Sequence, residues 1–192
     1  MKVIKFGSWA AVVRALSHLR ILFKGNDGIE RPIAYRLDDS GLLGGDDPLA
    51  EHCADVSYGG RTLTADCIGF ALYCAGIARR QPGFKGSRGE WLNTDSVLDD
   101  AHGAQVFFRT LKPGEKARPG DLVVTRSKFL LGKRIRAGHI EMLLRPAALD
   151  FKAMTIGCSP RFGRETAIGV GYTWSDACEV VRPLNYTDGG AA

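Results

Sequence analysis

The chain has 192 residues, 45% of them hydrophobic and 24% charged, which is typical of one folded domain and excludes wholesale disorder, a collagen-like chain and a coiled coil. Lysine and arginine number 26 against 21 aspartate and glutamate residues, and the resulting net charge of +5 favours an anionic environment. No block of basic residues with interleaved aromatics indicates a nucleic-acid partner, and no apolar run approaches the roughly 20 residues that cross a bilayer.

The first predicted element is an apolar helix over residues 8–23, which Ser8 can cap at its N-terminus. The start of the chain does not read as a cleavable secretory signal, because Arg14, His18 and Arg20 interrupt the apolar stretch. We therefore expect the protein to be made in the cytoplasm without a signal peptide. If it acts outside the cell, another system must deliver it.

A long loop is predicted next, because residues 37–62 are rich in glycine, aspartate and proline. Disorder of this segment is the competing interpretation. Residues 66–79 then predict a second helix, with Asp66 or Thr64 as its cap and two arginines at its end.

The second half of the chain is predicted to be mainly strands. A short acidic helix comes first, with Asn93 or Thr94 as its cap and its end near His102-Gly103. Apolar runs separated by turns then predict strands at residues 106–108, 122–124, 138–144, 151–158, 167–172 and 178–181. Helices followed by strands predict an α+β domain with an antiparallel sheet.

We interpret residues 1–192 as a single domain. An N-terminal helix and loop occupy residues 1–63, and the core that carries the candidate site spans residues 64–184. Residues 185–192 are expected to form a frayed tail.

The cysteine content argues against structural cross-links. An odd number of cysteines without any C-x-x-C spacing is not typical of a disulfide framework or a zinc ribbon. No ligand cluster indicates a metal, and we expect no cofactor. The five cysteines are Cys53, Cys67, Cys74, Cys158 and Cys178, and most of them are expected to be small buried residues.

Cys67 and His139 form a candidate catalytic pair. Cys67 falls in the first turn of the second predicted helix, where the helix N-terminus stabilises a thiolate. His139 opens a predicted strand that can place its imidazole against this helix, as a nucleophile and its base require. A structural cysteine and a half-buried strand histidine are the alternative interpretation.

Three short motifs surround this pair. Asp66-Cys67-Ile68-Gly69-Phe70 begins a predicted helix, Pro119-Gly120-Asp121-Leu122 precedes a strand, and Gly138-His139-Ile140 opens another. Their order resembles the Asp-Cys-Ser-Gly-Phe, Pro-Gly-Asp-Leu and Gly-His-hydrophobic hallmarks of the NlpC-type cell-wall peptidases, compact papain-like hydrolases of bacterial peptidoglycan. The resemblance covers residues 64–144, with a looser match onward to residue 181.

The resemblance implies a papain-like fold in which the nucleophile helix packs on the antiparallel sheet. It implies that Cys67 is the nucleophile and His139 the general base, with the backbone N–H of Cys67 in the oxyanion hole. The implied reaction is amide hydrolysis through a thioester. The implied substrate is a peptide stem or cross-link of peptidoglycan.

The residue that orients His139 is left open by the sequence. Family members often carry this residue, a histidine, on the next strand, but residues 155–159 contain none. Glu141 lies on the same strand face as His139 and is one candidate. Ser159 and Asp176 are weaker ones, and a Cys–His dyad is a further alternative.

Two residues are candidates for substrate binding. Asp66 belongs to the family motif, in which an Asp-Ser pair helps some members to hold a substrate amine. Ile68 replaces that serine here, so Asp66 is alternatively only a helix cap. Tyr35 loosely matches an upstream aromatic residue that contacts substrate in the family, and core packing is its alternative role.

The remaining basic segments and histidines receive simpler interpretations. The arginine- and glycine-rich stretch 79–90 and the basic stretch 126–136 are expected to be loops, the latter solvated. His102 is expected to help end its helix, whereas His52 is a competitor for the role of base.

The preferred hypothesis is a peptidoglycan hydrolase delivered to the bacterial cell wall, as a phage lysin, a component of a phage tail or an injected toxin. One alternative is a structural protein of a phage tail or secretion apparatus that retains an inactive papain-like domain. Another keeps the cysteine chemistry but uses proteins or lipids as acyl donors or acceptors. The sequence does not choose among the delivery routes.

Overall fold

A computed structural model describes residues 7–17, 23–24, 30–31, 34–35, 55–56, 63–86, 89–147, 153–162, 168–172 and 178–187. Within this part of the chain the protein is a mixed α+β structure with three α-helices and a mostly antiparallel sheet. The predicted α+β class is therefore confirmed. None of the helices described is both long and apolar enough to cross a bilayer.

The three helices are α1 (Ser8–Ser17), α2 (Cys67–Cys74) and α3 (Thr94–His102). The predicted helix over 8–23 is wrong at its end, because residues 23 and 24 pair with residues 30 and 31 as strands. The predicted start of α3 is confirmed, since Asn93 accepts from the Ser96 N–H and Ser96 Oγ accepts in return from the Asn93 N–H.

Helix α2 is shorter than the predicted 66–79 because a glycine turn ends it. Gly76 has a φ of +66°, its N–H donates to the Tyr73 carbonyl, and the Ile77 N–H donates to the Leu72 carbonyl. These two bonds form a Schellman motif, which glycine favours because it has no Cβ. Arg79 consequently lies beyond the helix, where its side chain can turn back.

Short strands precede α2. They are β1 (Phe23–Lys24), β2 (Glu30–Arg31), β3 (Ala34–Tyr35), β4 (Asp55–Val56) and β5 (Leu63–Ala65). Strand β5 pairs with β3 in parallel and with β4 antiparallel. Apart from β4, the predicted loop over 37–62 lies outside the described residues.

The remaining strands are β6 (Phe108–Thr110), β7 (Leu122–Thr125), β8 (Lys128–Leu130), β9 (Lys133–Arg136), β10 (His139–Arg145), β11 (Met154–Cys158), β12 (Ile168–Tyr172) and β13 (Cys178–Pro183). Six of them form an antiparallel sheet in the order β12-β11-β10-β7-β13-β6. Strand β6 begins two residues later than predicted, because the N–H groups of residues 106–108 donate to the buried carboxylate of Asp100.

The prediction that residues 126–136 form a loop is wrong. Strands β8 and β9 pair with each other as a hairpin, whose side chains are all exposed. The turn residues Leu131 and Gly132 both have positive φ, as a tight two-residue hairpin turn requires.

Helix α2 lies in the centre of the core, packed against α1, β10 and β11. Every residue of α2 except Tyr73 is buried, as expected of a helix that is apolar on all sides. Ile68, the residue that departs from the family motif, is one of these core residues and is 4% exposed. Its apolar side chain therefore contributes to packing.

The Pro-Gly-Asp-Leu motif anchors the start of β7. Gly120 has a φ of +92°, and an added Cβ would lie 2.9 Å from the Ser8 backbone oxygen, so glycine is required at this contact with α1. The buried Asp121 carboxylate accepts from two nitrogens of Arg182, each at 2.7 Å. The motif thus joins α1, β7 and β13.

Candidate active site

Cys67 is the first residue of α2, as the sequence predicts. Its N-cap, Asp66, has extended backbone, and the Asp66 Oδ1 accepts from the Gly69 N–H at 2.7 Å. Of the two predicted caps, Asp66 and Thr64, the structure has Asp66. Cys67 therefore lies at the N-terminal end of the helix, where the partial positive charge of the helix dipole is located.

Asp66 also forms a buried ion pair with Arg79. Arg79 Nη1 lies 3.0 Å from Asp66 Oδ1, and Arg79 Nη2 lies 2.7 Å from Asp66 Oδ2. Both side chains are almost completely buried. Both carboxylate oxygens of this candidate substrate-binding residue are therefore engaged within the protein.

His139 is the first residue of β10, and β10 packs against α2. The backbone N–H of His139 donates to Thr125 Oγ1 at 3.0 Å, and the Thr125 hydroxyl lies 3.4 Å from the His139 carbonyl oxygen. These contacts fix the backbone of His139 on β7. The imidazole forms a hydrogen bond with the Cys67 side chain, so the fold brings the two predicted catalytic residues together.

Glu141 holds the other side of the imidazole. His139 Nε2 lies 2.9 Å from Glu141 Oε1, and the Glu141 carboxylate is 1% exposed. With Nε2 engaged by the carboxylate, Nδ1 is the ring nitrogen that remains for the thiol. The candidate site thus connects Cys67, His139 and Glu141 in the same order of residue types as a catalytic triad of nucleophile, histidine and carboxylate.

Two further side chains hold the Glu141 carboxylate. Thr155 Oγ1 donates to Glu141 Oε2 at 2.5 Å, and Arg161 Nη2 donates to Glu141 Oε1 at 2.6 Å. Neither residue was predicted from the sequence, because β11 and the following 3-10 turn place them there only in the folded sheet. Buried carboxylates require such partners, and together with His139 these two side chains engage both oxygens of Glu141.

Glycines make room for this network. An added Cβ at Gly157 of β11 would lie 2.8 Å from Glu141 Cγ, and one at Gly171 of β12 would lie 2.7 Å from Arg161 Nη2. Arg161 also stacks on the Phe162 ring, with Cζ 4.6 Å from the ring centroid. The sequence prediction missed Thr155 and Arg161, and the only signal of them in the sequence is glycine at positions 157 and 171 of the two neighbouring strands.

The electrostatics of the site favour a protonated imidazole. Burial lowers the pKa of His139, but hydrogen bonds to Cys67 and Glu141 and their negative charges outweigh it and raise the pKa to about 10. The imidazole side chain is 30% exposed. The site therefore has a cationic imidazole that interacts with the Cys67 side chain.

The other site candidates lie at or beyond the margin of this arrangement. Ser159 follows β11, and its Oγ accepts from the Arg161 N–H at 3.4 Å, in the turn that carries Arg161. The backbone of Tyr35 lies beside Ala65, two residues before Cys67. Asp176 and His52 lie outside the described residues.

His102 is the last residue of α3 and is not its C-cap, the role that the sequence had suggested. Gly103 is the C-cap of α3, and His102 Nε2 lies 2.5 Å from Glu179 Oε2 in an exposed pair. Across the described part of the chain, no group of three or more His, Cys, Asp or Glu side chains is arranged to hold a metal ion.

Comparisons of the chain with protein-family models, with curated proteins and with solved structures give no match.

Proposed function

We propose that the protein is a papain-like cysteine hydrolase that cleaves amide bonds in the peptide stems or cross-links of peptidoglycan. The observation that carries the proposal is the hydrogen-bonded series of Cys67 at a helix N-terminus, His139 and the buried Glu141. The resemblance of three motifs to the NlpC-type peptidases supports peptidoglycan as the substrate class.

In the proposed reaction, the Cys67 thiolate attacks the amide carbonyl carbon. The resulting oxyanion accepts hydrogen bonds that include the backbone N–H of Cys67. The His139 imidazolium donates its proton to the leaving amine, the C–N bond breaks and a thioester remains. Neutral His139 then takes a proton from water, whose oxygen attacks the thioester and releases the carboxylate product and Cys67.

Glu141 is a positioning residue in this mechanism, because it touches His139 and not the reacting carbonyl. Its carboxylate fixes the orientation of the imidazole and stabilises the imidazolium that the first half-reaction uses. Thr155 and Arg161 in turn hold the carboxylate. This network supports catalysis over a merely structural role for the domain.

The test is digestion of purified sacculi, with the released fragments identified by mass spectrometry. We expect the wild type and Cys178→Ser to release peptide fragments with a new amine, and Cys67→Ala to release none. Iodoacetamide labelling provides the second readout, with Cys67→Ala as the blank. Burial raises the pKa of the Cys74 thiol far above its usual range, against the nearby Arg14 charge, so Cys74 stays protonated and unreactive.

The alternatives give different results in the same experiment. If iodoacetamide labels Cys67 but the sacculi stay intact, the cysteine is reactive and its substrate is an acyl compound other than peptidoglycan. If Cys67 is not labelled and the sacculi stay intact, the result favours the alternative of a structural protein in a phage tail or secretion apparatus. Fragments released equally by Cys67→Ala would overturn the cysteine mechanism.

A further inference from the structure

The β8–β9 hairpin exposes an unusual amount of apolar surface. Phe129 is 59% exposed, Leu130 61%, Leu131 95% and Ile135 62%. The hairpin forms its own two-stranded sheet beside the six-stranded one. Clustered exposed apolar side chains of this kind mark interaction sites, because solubility alone disfavours them.

Leu131 at the tip of the hairpin is unfavourable in two ways. Its φ of +50° lies in the left-handed region, where glycine and asparagine are preferred and a leucine is strained. Its side chain is also almost fully exposed to water. Neither local backbone preference nor core packing accounts for leucine here, so an external apolar contact is the remaining physical reason.

Basic side chains surround the apolar tip. The hairpin strands carry Lys128, Lys133, Arg134 and Arg136, and residues 126–138 contain no acidic residue. Lys128 is paired directly opposite Arg136, an arrangement that is repulsive in the free protein. An anionic surface would remove this repulsion.

The base of the hairpin is held rigidly beside the candidate active site. The Ser127 N–H donates to Asp95 Oδ1 at 2.8 Å, and the Gly138 N–H donates to Ser127 Oγ at 3.1 Å. An added Cβ at Gly138 would lie 2.1 Å from Thr94 Oγ1, so this crossing over the start of α3 is close-packed. The residue that follows is His139, and the hairpin thus has a fixed direction relative to the site.

We propose that the β8–β9 hairpin docks the protein on a membrane, by inserting its apolar tip into an anionic phospholipid surface. A bilayer interface offers negative headgroups and an apolar layer together, which matches basic strands behind an apolar tip. Phe129 and Leu130 are consecutive and therefore lie on opposite faces of the ribbon. A bilayer surrounds such a tip, whereas a protein partner would cover one face.

The experiment is co-sedimentation of the full chain with vesicles. One set contains phosphatidylcholine and phosphatidylglycerol, and the other contains phosphatidylcholine alone. We expect the wild type to sediment with the anionic vesicles and to remain mostly in solution with the neutral ones. Each basic residue near an anionic surface strengthens partitioning by about fivefold.

Two double variants separate insertion from charge. Leu130→Ser with Leu131→Ser removes the apolar tip, and Lys133→Glu with Arg136→Glu reverses two charges. We expect each to lower partitioning onto anionic vesicles by about tenfold or more. Val106→Ser and Lys85→Glu change exposed residues outside the hairpin and serve as surface controls, and they should bind as the wild type does.

Three outcomes would overturn the proposal. The first is a wild type that sediments with neither kind of vesicle, which would indicate that the hairpin binds a protein instead of a membrane. The second is undiminished binding of the leucine variant, which would mean surface attraction without insertion. The third is an equal loss in the control variants. An unchanged near-ultraviolet circular dichroism spectrum shows that a variant is folded, and the readout does not depend on any hydrolytic activity.

Discussion

The side chain of Glu141 occupies the space above Gly157 on the adjacent strand, where an added Cβ would lie 2.8 Å from Glu141 Cγ. This space lets the Glu141 carboxylate lie between His139 and Thr155 without leaving the sheet. The partner of the imidazole therefore comes from the histidine's own strand, and the neighbouring strand contributes room at Gly157 and a supporting hydroxyl at Thr155.

Gly157→Ala should displace Glu141 and misorient His139. We expect a loss of about 100-fold in kcat/KM on wall fragments, as small displacements of catalytic groups produce, and a destabilisation of about 1–3 kcal/mol from overpacking. A double-mutant cycle with Glu141→Ala checks the cause by enzyme kinetics. The two effects should be strongly non-additive, and simple additivity would show that Gly157 acts elsewhere.

Glu141→Gln should remove the negative charge while keeping the shape of the side chain. An amide can donate to Nε2 and favour the wrong tautomer of His139, so we expect kcat to fall by about 100- to 10,000-fold. Glu90→Gln, at an exposed ion pair with Arg80, serves as the control and should retain activity. Equal activity of wild type and Glu141→Gln in steady-state kinetics would argue for a dyad.

The proton on His139 should stabilise the folded state over a defined pH range. Because hydrogen bonds to Cys67 and Glu141 overcome burial and raise the pKa from 6.5 to about 10, the stabilisation is complete below pH 6.5 and is lost as the pH rises through about 10. Urea unfolding of wild type and His139→Gln measures it. The difference in unfolding free energy should shrink across that interval, and a constant difference would contradict the ion pair.

Asp66→Asn tests whether Asp66 is a structural or a substrate-binding residue. Asparagine also caps helices, but it leaves the buried Arg79 charge without its ionic partner. We expect the unfolding free energy to drop by about 3–5 kcal/mol in urea titrations. A normal stability together with a raised KM would instead identify Asp66 as a contact of the substrate.

Glu115 should contribute stability that acid removes. Its hydrogen bonds to Arg109, with help from the Lys112 N–H and the Arg182 charge and against partial burial, lower its pKa from 4.5 to about 2. The contribution is present above pH 4.5 and is lost as the pH falls through about 2. Glu115→Gln should cost about 1.5–3 kcal/mol at neutral pH, and this gap, followed by chemical denaturation, should close in acid.

The sequence was sufficient to predict the elements whose signals are local. The caps Asp66 and Asn93 have side chains that bind nearby N–H groups, and the strands that contain Leu122 and His139 are rich in apolar residues. Local hydrogen bonding and periodicity are visible in a single chain. The class of the fold follows from these elements, whereas the pairing of Cys67 with His139 was predicted with the help of three motifs that resemble a known family.

Other features depend on contacts between residues that are far apart in sequence. Arg161 reaches Glu141 across 20 positions, and Arg182 reaches Asp121 across 61. No periodicity marks such pairs, because they form only when strands are ordered in the sheet. The basic hairpin was missed for a different reason, since its tip lacks the usual Asn-Gly or Asp-Gly turn signal.

The position of β13 in the sheet makes completion of the sheet a late event in synthesis. Although residues 178–183 come after every other strand of the described residues, β13 lies between β7 and β6 and is paired on both sides. On the ribosome, the strand that carries His139 emerges well before the strand that joins β7 to β6. A nascent chain that ends before residue 178 therefore lacks an interior strand, and β6, which pairs with β13, can join the sheet only late in synthesis.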